Sequence, residues 1–137
     1  MTAPPGSTNK FVNNQSPQCL TIYNAQTSPS SPIVDWPCAL GGDEQSWQSN
    51  EGTLQSVLNP KMCLDVFGGQ ALAGASATIA PCSNADTQQW KFDGKYLTLQ
   101  SVTNLCLGVA SPAPVQGGLI VIDTCAGAPG QIWSYLK

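Results

Sequence analysis

One construction occurs three times in this chain, and that repetition limits its fold more than any other property. Each copy opens on a short motif: Cys19-Leu20-Thr21-Ile22, Cys63-Leu64-Asp65-Val66 and Cys106-Leu107-Gly108-Val109. Each continues to a second cysteine, Cys38, Cys82 or Cys125, and closes on Gln45-Ser46-Trp47, Gln88-Gln89-Trp90 or Gln131-Ile132-Trp133. The two cysteines of every copy are 19 positions apart, and the closing glutamines recur at a step of 43. A period of this length marks a chain assembled from copies of one supersecondary unit. No single copy can bury its apolar face, so neighbouring copies must complete a common core.

The copies read as strands. Cys63-Leu64-Asp65-Val66 and Leu97-Thr98-Leu99-Gln100-Ser101-Val102 alternate, whereas a helix would place an apolar residue every three or four positions. Gly41-Gly42, Gly68-Gly69, Gly117-Gly118 and the Ser/Pro cluster from Ser28 to Pro32 supply turn chemistry between them. The pattern predicts an all-β fold. Short strands at regular spacing suggest a sandwich or a barrel, and threefold symmetry favours a closed barrel-like form with few bare edges.

These residues carry a family resemblance. The Cys-Leu-Asp-Val opening, the second cysteine and the Gln-x-Trp close, three times in register, resemble the ricin B-type lectins and related carbohydrate-binding modules, over about residues 10–137. The resemblance implies a β-trefoil of twelve strands, four to a repeat, with a shallow sugar site available in each. It further implies non-catalytic recognition of glycans of the galactose, N-acetylgalactosamine or xylan type, as free sugars, polysaccharides or glycoproteins.

The length of 137 residues fits a single domain over 10–137, with repeats at approximately 10–53, 54–96 and 97–137. Residues 1–9, with Pro4, Pro5 and Gly6, read as a flexible tail or linker remnant. Charged residues make up 9% of the chain and the net charge is −3, carried against five scattered lysines with no arginine or histidine. Phosphate backbones are bound by clustered Lys and Arg, so nucleic acid is not an expected partner. No apolar run is long enough to cross a bilayer, and the first residues lack the charged and apolar regions of a signal peptide. Six cysteines allow many pairings, but the equal spacing selects Cys19–Cys38, Cys63–Cys82 and Cys106–Cys125, each bridge inside one repeat. Zinc would need close Cys-x-x-Cys or Cys/His pairs, which the chain lacks, so neither a metal nor a cofactor is expected. Disulfides persist in oxidising compartments, which predicts a secreted protein.

In the resembling family the aspartate of Cys-Leu-Asp-Val accepts hydrogen bonds from two adjacent sugar hydroxyls, a task suited to a carboxylate with several lone pairs. Asp65 holds that position, with Gln88 beside it; the plainer reading is that Asp65 satisfies backbone N–H groups in the turn that follows. Gln45 and Gln131 persist in the repeats that have Thr21 and Gly108 in place of the aspartate, which argues for a structural glutamine. Ala80 stands where the family has its stacking ring and Thr87 where it has asparagine, leaving Phe67, Asn84 and Asp86 as candidate compensating contacts. Trp36, two residues before Cys38, occupies the position of the stacking ring in the first repeat. Its neighbour Asp35 aligns with Ile79 and Ile122, which look inward, and a buried unpartnered carboxylate is costly. A shift of one residue would turn Asp35 out and Trp36 in, so Trp36 is either a sugar platform or a partly buried core residue. Asp123 takes the ring's place in the third repeat and is expected to face solvent. Trp47, Trp90 and Trp133 share one core position. Asn14-Gln15-Ser16 is a glycosylation sequon, followed directly by Pro17.

No enzyme is expected. Without histidine there is no triad of the usual kind, and nothing in the spacing of the carboxylates pairs them across a glycosidic bond. The leading reading is a lectin-type module. The alternatives are a β-trefoil that binds a protein, such as a protease inhibitor, and a structural appendage of a larger secreted glycoside hydrolase.

Overall fold

The computed structural model describes residues 9–38, 42–110 and 117–136. Twelve short strands fall four to a repeat. The first repeat contributes β1 (Lys10–Asn13), β2 (Cys19–Ile22), β3 (Ile33–Trp36) and β4 (Trp47–Asn50). The second contributes β5 (Thr53–Ser56), β6 (Met62–Val66), β7 (Ala77–Pro81) and β8 (Trp90–Phe92). The third contributes β9 (Leu97–Leu99), β10 (Leu105–Val109), β11 (Gly118–Thr124) and β12 (Trp133–Leu136). Helical structure among the described residues is confined to single 3-10 turns, one of which precedes the closing tryptophan of every repeat.

All strand pairs are antiparallel, and they join the repeats as well as folding them. β1 pairs along its whole length with β12, Lys10 opposite Leu136 and Asn13 opposite Trp133, so the two ends of the described chain lie side by side. β3 of the first repeat pairs with β11 of the third through Asp35–Gly118 and Val34–Leu119. Isolated bridges from Pro32 to Thr78 and from Ser76 to Val121 tie the second repeat to both others. Three repeats closed on one another in this way form a β-trefoil.

Alternation along the strands builds the core. Leu20 and Ile22, Leu64 and Val66, and Leu105 and Leu107 turn inward to meet Ile33, Ile79, Ile120 and Ile122. Trp47, Trp90 and Trp133 fill the same position in each repeat and are buried. A buried indole N–H needs an acceptor, and each finds the same one: Nε1 donates to the carbonyl of Leu20 at 3.1 Å, of Leu64 at 2.9 Å and of Leu107 at 2.9 Å. The motif leucine therefore packs with its side chain and accepts with its backbone, which is why the Cys-Leu and Gln-x-Trp signatures travel together. The three disulfides lie within the repeats, Cys19–Cys38, Cys63–Cys82 and Cys106–Cys125, with Cα separations of 5.1, 4.9 and 5.1 Å.

Two boundaries differ from the sequence reading. The strand expected over 97–102 ends at Leu99, because the Gln100 amide folds back to donate to the Trp90 carbonyl at 3.0 Å and the chain bends away at Ser101. Residues 1–8 of the expected tail lie outside the described residues, but Asn9 belongs to the fold. It is buried, its carbonyl accepts the Trp47 N–H at 2.9 Å, and its side-chain oxygen accepts the Tyr135 hydroxyl. Asn14 of the sequon is exposed in the turn between β1 and β2.

Candidate functional site

In the second repeat Asp65 stands at the end of β6 with its carboxylate held from two sides. Oδ1 accepts the N–H of Val66 at 2.6 Å and Oδ2 accepts Nε2 of Gln88 at 3.0 Å. Gln88, at the end of a 3-10 turn over Asp86–Gln88, is a latch as well as a support. Its Nε2 also donates to the Pro81 carbonyl at 2.9 Å, while its Oε1 accepts the Ser83 N–H at 2.7 Å. Asp65 is 8% exposed. An ionised carboxylate offers about four acceptor sites, so two donors orient it without exhausting it.

The equivalent glutamines separate the structural part of this arrangement from the part particular to Asp65. Gln45 Nε2 donates to the Pro37 carbonyl at 2.7 Å and to Thr21 Oγ1 at 3.2 Å, and Thr21 Oγ1 itself donates to the Cys19 carbonyl at 2.7 Å. Gln131 Nε2 donates to the Thr124 carbonyl at 3.0 Å, and its Oε1 accepts the Ala126 N–H at 2.8 Å. Latching the residue before the second cysteine is common to all three, and the bond to a carboxylate is found in the second repeat.

The first repeat carries a groove of about 430 Å³, lined by Thr21, Tyr23, Val34, Trp36, Glu44 and Gln45. Trp36 is 38% and Tyr23 40% exposed. The one-residue shift does not occur: Leu20 pairs with Asp35 and Cys19 with Trp36, so Asp35 turns in and the indole turns out. Asp35 is fully buried with neither carboxylate oxygen hydrogen-bonded. Burial pushes its carboxyl from an ordinary 3.8 up to about 6; the Ser16 hydroxyl is near enough to pull weakly the other way without reaching hydrogen-bonding geometry. Beside the groove Lys10 is buried with Nζ donating to the Gly42 carbonyl at 3.4 Å and to Ser46 Oγ at 3.3 Å, which steadies the 3-10 turn bearing Glu44 and Gln45. Burial lowers the Lys10 pKa, opposed by the charges of Glu44 and Asp43.

The remaining sequence candidates are dispersed. Phe67 projects from the turn after β6 and is 57% exposed. Asn84 lines a polar depression with Asn50, Glu51 and Ser83 rather than with Asp65. Asp86 is exposed at the start of its 3-10 turn. Asp123 faces solvent as expected, yet it also lines a third cavity. Tyr23 was not singled out by its sequence, although it follows Cys-Leu-Thr-Ile just as Phe67 follows Cys-Leu-Asp-Val; comparing repeat positions would have found it.

The comparisons with known proteins agree with this architecture. A model of the ricin-type beta-trefoil lectin domain matches residues 50–137, and a model of the ricin-type beta-trefoil lectin domain-like family matches residues 3–80. The chain belongs to the ricin-type β-trefoil lectin family. Among solved structures it is similar to ThreeFoil, a designed 3-fold symmetric protein, at 24% identity and a TM-score of 0.84, over 94% of this chain and 97% of that one. It is similar to the C-half of an earthworm R-type lectin solved with GalNAc, at 17% identity and a TM-score of 0.78, over 94% and 98% of the two chains. It is also similar to the ricin B-like lectin of Macrolepiota procera solved with lactose, at 17% identity and a TM-score of 0.77, over 98% of each. No curated protein sequence matches the chain significantly.

Proposed function

We propose that residues 10–137 form a non-catalytic carbohydrate-binding domain of a secreted protein, with its principal sugar site at Asp65 in the second repeat. The observation that carries this reading is the pair of donors, Val66 N–H and Gln88 Nε2, that orients the Asp65 carboxylate at 2.6 and 3.0 Å. Fixed in this way, its remaining lone pairs suit two adjacent hydroxyls of a galactose or N-acetylgalactosamine residue. Phe67 and Asp86, exposed on the turns after β6 and before β8, are the flanking contacts, and Asn84 lines a separate depression. The Trp36 groove serves as a minor site, where the indole and the Tyr23 ring stack on the C–H face of a sugar in a xylan-type chain. Three disulfides favour an extracellular setting.

Calorimetric titration tests the assignment, with the best ligand from a glycan array against native protein, Asp65→Asn and Trp36→Ala. A hydrogen bond to a charged group is worth roughly 1.5–3 kcal/mol, so Asp65→Asn is expected to weaken binding about tenfold or more. Native affinity in Asp65→Asn together with loss in Trp36→Ala would move the site to the first repeat.

A second reading, attachment to a protein, draws on Phe67 and Leu72, which leave 57% and 61% of their surface exposed on the segment after β6. Unchanged sugar binding in both variants, with a partner that millimolar simple sugars do not displace, would favour it.

A further inference from the structure

Asp35 is fully buried where the first and third repeats join, at a position that Ile79 and Ile122 fill in the other two repeats. It lies between Leu20 on β2 and Gly118 on β11, and neither of its carboxylate oxygens is hydrogen-bonded. The join itself is short. β3 and β11 meet at two residue pairs, where β10 and β11 meet at five, and the bond from Gly117 N–H to the Asp35 carbonyl closes its end. Trp36, the next residue on β3, packs its ring against that same Gly117. The acid, the junction and the aromatic wall of the first-repeat groove are therefore consecutive links.

No opposite charge faces the acid. Among the described elements packed on β3, β2 and β7 hold no titratable residue besides the bridged Cys19, and the turn bearing Ser16 holds none. β11 holds Asp123, exposed at its far end opposite Cys106. Residues 111–116 contain no titratable side chain in the sequence. Tyr23 and Glu44 line the groove that Trp36 borders. An ionised carboxylate in such a place is costly, and it is relieved either by taking a proton or by parting the junction to admit water. The closed junction holds the proton more tightly than an opened one, so it is favoured in acid and loses ground as pH rises through about 6.

We propose that Asp35 makes the Trp36 groove a pH-responsive site: with the acid protonated the β3–β11 junction is closed and the indole is aimed for stacking, and with the acid ionised the junction parts and the groove releases its ligand. The effect on ligand rests on the reading of this groove as a sugar site; the movement of the junction does not. Linkage makes the coupling reciprocal, so a bound sugar raises the proton affinity of Asp35.

Two readouts on the intact chain test the proposal. Hydrogen exchange of the Gly117 amide, corrected for its intrinsic rate, should show protection about tenfold lower at pH 7 than at pH 5. Asp35→Asn, which keeps the size, and Asp35→Ile, which installs the residue of the other repeats, should show equal protection at both pH values. Xylotriose, followed through the Trp36 indole N–H resonance, should bind native protein at least about threefold more weakly at pH 7 than at pH 5, and the variants equally at both. Tyr23 and Glu44 are kept in both variants, so a pH effect of theirs would persist there. The proposal is overturned if Gly117 is as protected at pH 7 as at pH 5, if protection falls in the variants as in native protein, or if native protein binds xylotriose equally at both pH values. Absence of xylotriose binding at either pH would refute the sugar reading of the groove, and Gly117 exchange would then decide the switch alone.

Discussion

The indole of Trp36 rests on Gly117: a Cβ at that glycine would stand 3.3 Å from Cζ3 of the ring. The two residues belong to the first and third repeats, joined where Gly117 N–H donates to the Asp35 carbonyl at 2.6 Å. The ring is therefore aimed by a neighbour that shares no local sequence with it.

Gly117→Ala tests this dependence. The glycine has φ of 82°, so alanine adds backbone strain of roughly 1–2 kcal/mol and pushes against the ring. Urea unfolding should show a loss of that size, and tryptophan emission should change. The same substitution in a Trp36→Phe background should leave emission unchanged; an equal emission change there would mean that Trp36 is not the ring displaced.

Asp35 predicts the pH dependence of stability. Its carboxyl titrates near 3.8 when exposed and at about 6 in the fold, so the folded state holds the proton more tightly. Stability from this group is full below pH 4, falls as pH rises through about 6 and is flat beyond. The difference corresponds to roughly 3 kcal/mol. Midpoints of urea unfolding measured from pH 4 to pH 7 should fall in native protein. Asp35→Asn should remove the fall, and Asp35→Ile, the residue of the other two repeats, should raise stability at pH 7.

The three glutamines should differ in weight. Gln88→Ala strands a buried carboxylate oxygen, the Pro81 carbonyl and the Ser83 N–H, which predicts a loss of roughly 2–3 kcal/mol. Gln131 makes its two bonds at the surface, where water replaces a lost partner, and Gln131→Ala should cost about 1 kcal/mol or less. Equal losses would show that the latch, not the buried carboxylate, sets the cost.

Peptide mapping without reduction should recover three linked pairs, each within a repeat, and no free thiol. Replacing Cys63 and Cys82 together by serine should lower stability by about 3 kcal/mol and leave the other two bridges intact. A peptide joining Cys38 to Cys63 would contradict both the pairing and the repeat on which it rests.

What could be read in the sequence was whatever repeats. Strand alternation, the cysteine pairs and the buried tryptophans recur at a fixed step, and each is satisfied by residues of its own repeat, as in the bond from Trp90 Nε1 to the Leu64 carbonyl. What escaped depends on contacts between repeats. Whether Asp35 or Trp36 faced inward was open because alternation alone permits either phase, and the pairing of Asp35 with both Leu20 and Gly118 decides it. Asp123 is the surface acid the sequence suggested, but the cavity it borders was not legible, because its wall includes Gln15 and Gly74, more than thirty positions away in sequence.

Gly108 gives the three repeats unequal futures. In the first repeat the Thr21 hydroxyl already receives the Gln45 amide at 3.2 Å, as Asp65 receives Gln88, so one substitution, Thr21→Asp, would bring back the missing carboxylate. In the third repeat the space is gone. A Cβ at Gly108 would stand 2.8 Å from the Gly130 carbonyl oxygen, and that oxygen is pinned in turn by Asn13 Nδ2 at 2.8 Å. An aspartate fits there only if the 3-10 turn bearing Gly130 moves and gives up its bond from Asn13, so this repeat is shut to the motif that the second repeat carries.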